Sequence, residues 1–135
     1  MDPRDPGETR ARTPTILLVE DEAAVLRLAT TILEREGFRV VAARNVDAAL
    51  AAADDLASAP ALLITDARLP GGRGETIVET LRQRWPGLPA LLVSGHPEET
   101  IEVPEDAGFL GKPFGPDRLV GEVHRRLDGT GSDAA

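Results

Sequence analysis

The chain has 135 residues, of which 41% are hydrophobic and only 3% aromatic, enough for one domain with a largely aliphatic core. It contains no cysteine, which excludes disulfides, thiolate metal sites and cysteine nucleophiles together. A net charge of −8 disfavours non-specific attraction to a nucleic-acid backbone, and no apolar run approaches the ~20 residues of a membrane span. A soluble cytoplasmic protein without DNA or membrane contacts is therefore expected.

In chain order, residues 1–13 carry prolines and charges without periodicity and are expected to form a disordered tail, with no apolar stretch of signal-peptide character. "TILLVE" (15–20) is a continuous apolar run of strand length. Val25, Leu28, Ala29, Ile32 and Leu33 then recur at helical spacing until Gly37. "FRVVAA" (38–43) predicts a second strand, and Val46, Ala49, Leu50, Ala53 and Leu56 a second helix ending before Pro60. "ALLITD" (61–66) predicts the third strand. "GGRG" (71–74) reads as a turn into a third helix, which Ile77, Val78, Leu81 and Trp85 stripe and Pro86 and Gly87 stop. "PALLVS" (89–94) is the fourth strand and "GFLG" (108–111) a short fifth. Between them, Pro97 and Pro104 leave room for about two helical turns. Leu119, Val120, Val123 and Leu127 mark a closing helix, and residues 129–135 read as a disordered tail, so the domain is expected over 14–128.

Strands alternating with helices, and apolar along their whole length, argue for an open, doubly wound α/β domain with a parallel sheet covered on both faces. Such sheets bind ligands outside the carboxyl ends of their strands. Strand one ends in Glu20, Asp21 and Glu22, strand three in Asp66 and strand four in Ser94, while strand five leads directly into Lys112. Lys112 is the only lysine among 15 basic residues. Carboxylates brought together at about 4 Å repel by roughly 4 kcal/mol per pair at an effective dielectric near 20. A hard divalent cation is the natural neutraliser, and Mg²⁺ favours one or two carboxylates plus phosphate oxygens and waters. No histidine stands at a strand end with ligand spacing, which argues against zinc.

Each residue also has a plainer reading. Glu22 fits an acidic helix start favoured by the helix dipole, Ser94 a helix cap, Asp66 a turn residue before Pro70–Gly71, and Lys112 a loop charge. His96 and His124 read as loop and helix-surface residues, and Trp85 as packing. It is the convergence of four strand ends on one sheet edge that favours a site.

These motifs, "LLVED", "ITDARLPGGRG", "LLVSG" and "FLGKPF" in this order, resemble the receiver domain of bacterial two-component response regulators over nearly all of residues 14–128. The resemblance implies a five-stranded parallel sheet of flavodoxin-like order 2-1-3-4-5, here with a shortened fourth helix. It implies Asp66 as the acceptor of a phosphoryl group from a histidine kinase or histidine phosphotransfer protein. Glu20, Asp21, Asp66 and the backbone carbonyl of Arg68 would hold Mg²⁺. Ser94 and Lys112 would contact the phosphoryl group, Phe109 would be the aromatic switch, and the Lys112–Pro113 bond would be cis. Arg68 would influence acyl phosphate hydrolysis. With no effector segment after residue 128, output is expected through protein contacts or as a phosphate sink. The face of the fourth and fifth strands and final helix would allow a homodimer. The alternatives are a pseudo-receiver that binds partners without phosphorylation, an aspartate-dependent phosphatase, which would want an aspartate where Arg68 stands, and a flavin-binding domain, which "EDEAAV" opposes electrostatically.

Overall fold

The computed structural model describes residues 13–96 and 101–133. Its elements are β1 (Thr15–Val19), α1 (Ala23–Arg35), β2 (Arg39–Ala43), α2 (Val46–Asp54), β3 (Leu62–Asp66), two short strands β4 (Arg68–Leu69) and β5 (Gly72–Arg73), α3 (Gly74–Arg84), β6 (Ala90–Ser94), β7 (Ala107–Gly111) and α4 (Pro116–Asp133). The main sheet runs β2-β1-β3-β6-β7 with every pairing parallel. Leaving aside the β4–β5 hairpin, this is the order 2-1-3-4-5 expected for the flavodoxin-like arrangement.

Strand side chains alternate between faces, and the sheet divides its apolar residues accordingly. Ile16, Leu18, Ile64, Leu91 and Val93 pack against Ala29, Ile32 and Leu33 of α1 and Leu119 and Val123 of α4. On the other face Leu17, Val19, Leu63 and Ala90 meet Ala49 and Ala53 of α2 and Ile77, Val78 and Leu81 of α3. Burying each Leu, Ile or Val contributes about 1.5–3 kcal/mol. All five residues of β3 and all five of β6 are buried, so the middle of the sheet is a rigid support for whatever its strand tips carry.

Several elements depart from the sequence pattern. Leu28, expected on the buried stripe of α1, is 49% exposed, and Leu26 packs against the core in its place. The stripe needs only one face, and Ala29, Ile32 and Leu33 fill it. The segment after Asp66 is a hairpin in which β4 and β5 pair antiparallel, and not only a turn into α3. The closing helix continues through Asp133, past the expected stop at residue 128; interior glycine costs a helix about 1 kcal/mol without forbidding it. The short helix expected between Pro97 and Pro104 lies partly on residues 97–100, outside the described residues, and over its remaining part, as over 95–96 and 105–106, the chain is not helical. Residues 1–12 and 134–135 of the expected tails also lie outside the described residues.

Entry into α2 is capped by Asn45, whose Oδ1 accepts a hydrogen bond from the Ala48 amide at 2.7 Å. Asn45→Ala is expected to destabilise the domain by about 1 kcal/mol, measurable as a lower urea midpoint with an unchanged denaturant slope.

Candidate functional site

The strand tips bring the site residues together through backbone continuity. The Glu20 amide donates to the Ala43 carbonyl at 3.0 Å, extending the β1–β2 ladder one residue past Val19. Glu20 is therefore still held as strand, and the residue is 3% exposed. One carboxylate oxygen accepts the Glu22 amide at 3.0 Å. Asp21 is half-buried, and its carbonyl accepts from Arg44 Nη2 at 2.8 Å.

Asp66 ends β3, opposite Val93 of β6, and is 5% exposed. The chain after it is tied down on both sides: the Ala67 amide donates to the Val93 carbonyl at 2.8 Å, and the Ala67 carbonyl accepts from the Gly74 amide at 2.9 Å. Thr65 Oγ1 donates to the Asp66 carbonyl at 2.9 Å. Gly74 is indispensable to this packing, because a Cβ there would lie 2.1 Å from the Asp66 carbonyl oxygen. The glycine eight residues after the aspartate, visible in the sequence, is thus a close backbone approach.

Lys112 reaches the same place from β7. Its amide donates to the Ser94 carbonyl at 2.8 Å, and the Lys112–Pro113 bond is cis. Its Nζ lies 2.9 Å from Glu20 Oε1, 3.1 Å from Asp66 Oδ1 and 3.3 Å from Glu22 Oε1. Glu22 is therefore a site residue, where the helix-start reading had placed it in the role of a dipole charge. It stands at the N-cap of α1 without a side-chain cap hydrogen bond, and its carboxylate faces the lysine instead. Their sequence separation of 90 hides this contact from local sequence reasoning.

Ser94, 4% exposed, closes β6, and its Oγ accepts the His96 amide at 2.9 Å. Phe109 is half-buried in β7 opposite Leu92. Arg68 is exposed in β4, opposite Arg73. His124 lies on the exposed surface of α4 beside Glu36 and Phe38, and Trp85 packs on the core beneath Arg84.

Three carboxylates, Glu20, Asp21 and Asp66, each offer one oxygen within 4.8 Å of the others. Trans ligands of an octahedral Mg²⁺ lie about 4.2 Å apart, so this all-oxygen set fits a hard divalent cation after small side-chain adjustments. The electrostatics carry the same message. Burial pushes the Asp66 carboxyl up to about 8, aided by the hydrogen bond and charge of Glu20 and opposed by Lys112. Burial alone would lower Lys112, but its bonds to Glu20 and Asp66 outweigh that and hold the ammonium above its ordinary range. A single lysine thus leaves the cluster short of positive charge.

Residues 16–124 match the family profile of the response regulator receiver domain. The chain is 38% identical over 116 residues to the KDP operon transcriptional regulatory protein KdpE of Escherichia coli, a match covering 83% of this chain and 48% of that protein. It is 33% identical over 118 residues to the sensor kinase CckA of Brucella abortus, covering 84% of this chain and 12% of that protein. The chain thus spans half or less of the length of these curated relatives. Among solved structures, the receiver domain of the hybrid histidine kinase CckA superposes with a TM-score of 0.74 at 32% identity, covering 84% of this chain and 98% of that one. A response regulator receiver protein from Sinorhizobium medicae gives 0.78 at 28% identity, covering 87% and 97%.

Proposed function

Because the chain belongs to the response regulator receiver domain family of two-component systems, we propose that it accepts a phosphoryl group on Asp66 from the phosphohistidine of a sensor kinase or phosphotransfer protein. The observation that carries this reading is the Asp66 carboxyl itself. It sits at the tip of a fully buried strand, 3.1 Å from Lys112 and grouped with Glu20 and Asp21.

An Asp66 carboxylate oxygen attacks phosphorus, an O–P bond forms, and the P–N bond to the donor imidazole breaks; the imidazole leaves with the electron pair and takes up a proton. Charge spreads over the equatorial phosphoryl oxygens during transfer, so the protein acts by position and by electrostatics. Lys112 Nζ moves from the carboxylates to an incoming phosphoryl oxygen, and Ser94 Oγ donates to another. Glu20 and Asp21, with Asp66 and the Arg68 carbonyl, would hold Mg²⁺, which when bound neutralises carboxylate and phosphoryl charge. The acyl phosphate then biases β6, its following loop and Phe109 on β7 between two arrangements. Output follows by protein contact, or the domain drains phosphate from its kinase.

Incubation with Mg²⁺ and a small phosphodonor should add one phosphoryl group by intact mass to the native chain and none to Asp66→Asn. An unmodified native chain that also shows no beryllofluoride-dependent spectral change would overturn the reading.

The raised pKa of Asp66 sets a pH dependence. The proton stabilises the fold below the ordinary carboxylate value, and that contribution is lost as pH rises through about 8. A divalent cation must displace this proton, so its apparent affinity should fall about tenfold per unit below pH 8 and level off above it. Thermal unfolding with and without Mg²⁺ at pH 6 and pH 9 checks this: the cation-induced rise in Tm should be larger at pH 9.

A further inference from the structure

The β4–β5 hairpin places two arginines where the fold has least reason to put them. Arg68 and Arg73 are directly opposed in the antiparallel register, so their side chains leave the same face of the hairpin. Both are exposed, whereas Leu69, the other side chain of β4, is buried on the opposite side. Like charges directly opposed across a ladder disfavour the pairing. Neither guanidinium has a carboxylate partner among the described residues, in a chain with 23 acidic side chains against 15 basic ones.

Their location adds to the case. Arg68 follows Asp66 by two residues, a Cα separation of at most about 7 Å. The tip of the hairpin rests on the start of α2, where the Val46 amide meets the Pro70 carbonyl at 3.5 Å and a Cβ on Gly72 would lie 3.4 Å from Val46 Cγ2. Just before that helix start, Arg44 reaches the carbonyl of Asp21 through one nitrogen and leaves the rest of its guanidinium exposed. Three exposed arginines therefore stand on the segments next to the sheet edge that carries Glu20, Asp21 and Asp66. An incoming phosphoryl dianion must approach buried carboxylates on a chain of net charge −8; the guanidiniums of these arginines, whose planar forks match phosphate oxygens, offset that repulsion before the transfer site is reached.

We propose that Arg68 and Arg73, seconded by Arg44, form an anion fork that receives the phosphoryl dianion of the donor and sets the rate of its delivery to Asp66. The fork rests on the receiver reading for its role and not for its binding. The ligand is the phosphoryl group itself, carried by either a small acyl phosphate or a phosphorylated imidazole.

Two measurements separate these dependencies. In an Asp66→Asn chain, which cannot be acylated, inorganic phosphate should shift the guanidinium NMR signals of Arg68 and Arg73 saturably. The double substitution R68Q/R73Q should weaken phosphate binding about fivefold or more, and about 1 M KCl, with its ~3 Å Debye length, should abolish it. Unmoved signals, or binding indifferent to the double substitution, would overturn the fork whatever Asp66 does. In the otherwise native chain with Mg²⁺, R68Q/R73Q should slow Asp66 acylation about tenfold and flatten its salt dependence. Acetyl phosphate and phosphoimidazole serve as the two donors. Slowing of both supports recognition of the phosphoryl group from either source, and slowing of acetyl phosphate alone confines the fork to small acyl phosphates. Rates unchanged with both donors would remove its role in delivery. A native chain that neither donor acylates would count against the receiver reading and leave the phosphate titration to decide the fork.

Discussion

Replacing Lys112 with methionine is expected to slow phosphoryl uptake by about a hundredfold while leaving divalent-cation affinity intact or improved. Methionine keeps the unbranched stem and removes the ammonium that contacts Glu20 at 2.9 Å and Asp66 at 3.1 Å. Loss of one preorganised charge-stabilising donor costs transfer reactions about 10²–10³-fold. The cation site behaves oppositely, because the lysine competes with a metal for the same two carboxylates. The fold also loses stability, on the order of 3 kcal/mol, since two buried carboxylates lose their counter-charge. That loss should shrink at low pH, where Asp66 binds its proton, and grow toward pH 9. Uptake timed by intact mass, calorimetric Mg²⁺ titration and urea unfolding at two pH values read the three effects separately. Equal losses of uptake and metal affinity would assign Lys112 a merely structural role.

Gly74→Ala is expected to have the second large effect. The added methyl would stand 2.1 Å from the Asp66 carbonyl and 2.9 Å from Thr65 Oγ1, and the first of these is backbone that cannot swing aside. Relief requires moving either the start of α3 or the end of β3, at a cost of about 3 kcal/mol or more, which lowers Tm by on the order of 10 °C in a domain of this size. The same displacement moves the Asp66 carboxyl, so phosphoryl uptake should fall more than stability alone explains when measured well below the melting transition. Gly121→Ala is the matching control. Nothing lies within 4 Å of its added methyl, and it sits inside α4, where alanine favours the helix over glycine by about 1 kcal/mol. A Gly74→Ala chain as stable as the native one would show that the close approach is not required.

The sequence made the sheet legible because β1, β3 and β6 are buried on both faces and so carry unbroken apolar runs. Once those strands are parallel, their carboxyl tips must share an edge, and Glu20, Asp21, Asp66, Ser94 and Lys112 could be gathered there from the linear chain. What was hidden depends on the third dimension. Glu22 looked like a helix-start acid because its contact with Lys112 joins β1's exit to β7's exit, a pairing no local window contains. The hairpin escaped because two residues per strand are too few for a periodic pattern, and its cross-strand arginines acquire meaning only through register. Leu28 satisfied helical spacing as well as its buried neighbours do, yet the rotation of α1 on the sheet exposes it.

Localising the phosphoryl group tests the central claim most directly. The native chain would be phosphorylated in Mg²⁺, reduced with borohydride, which converts an aspartyl phosphate to homoserine, and its peptides sequenced by mass spectrometry. Homoserine at position 66 alone is the predicted result. Homoserine at another carboxylate, or an Asp66 peptide that stays unreduced in a chain carrying the phosphoryl group, would contradict the account.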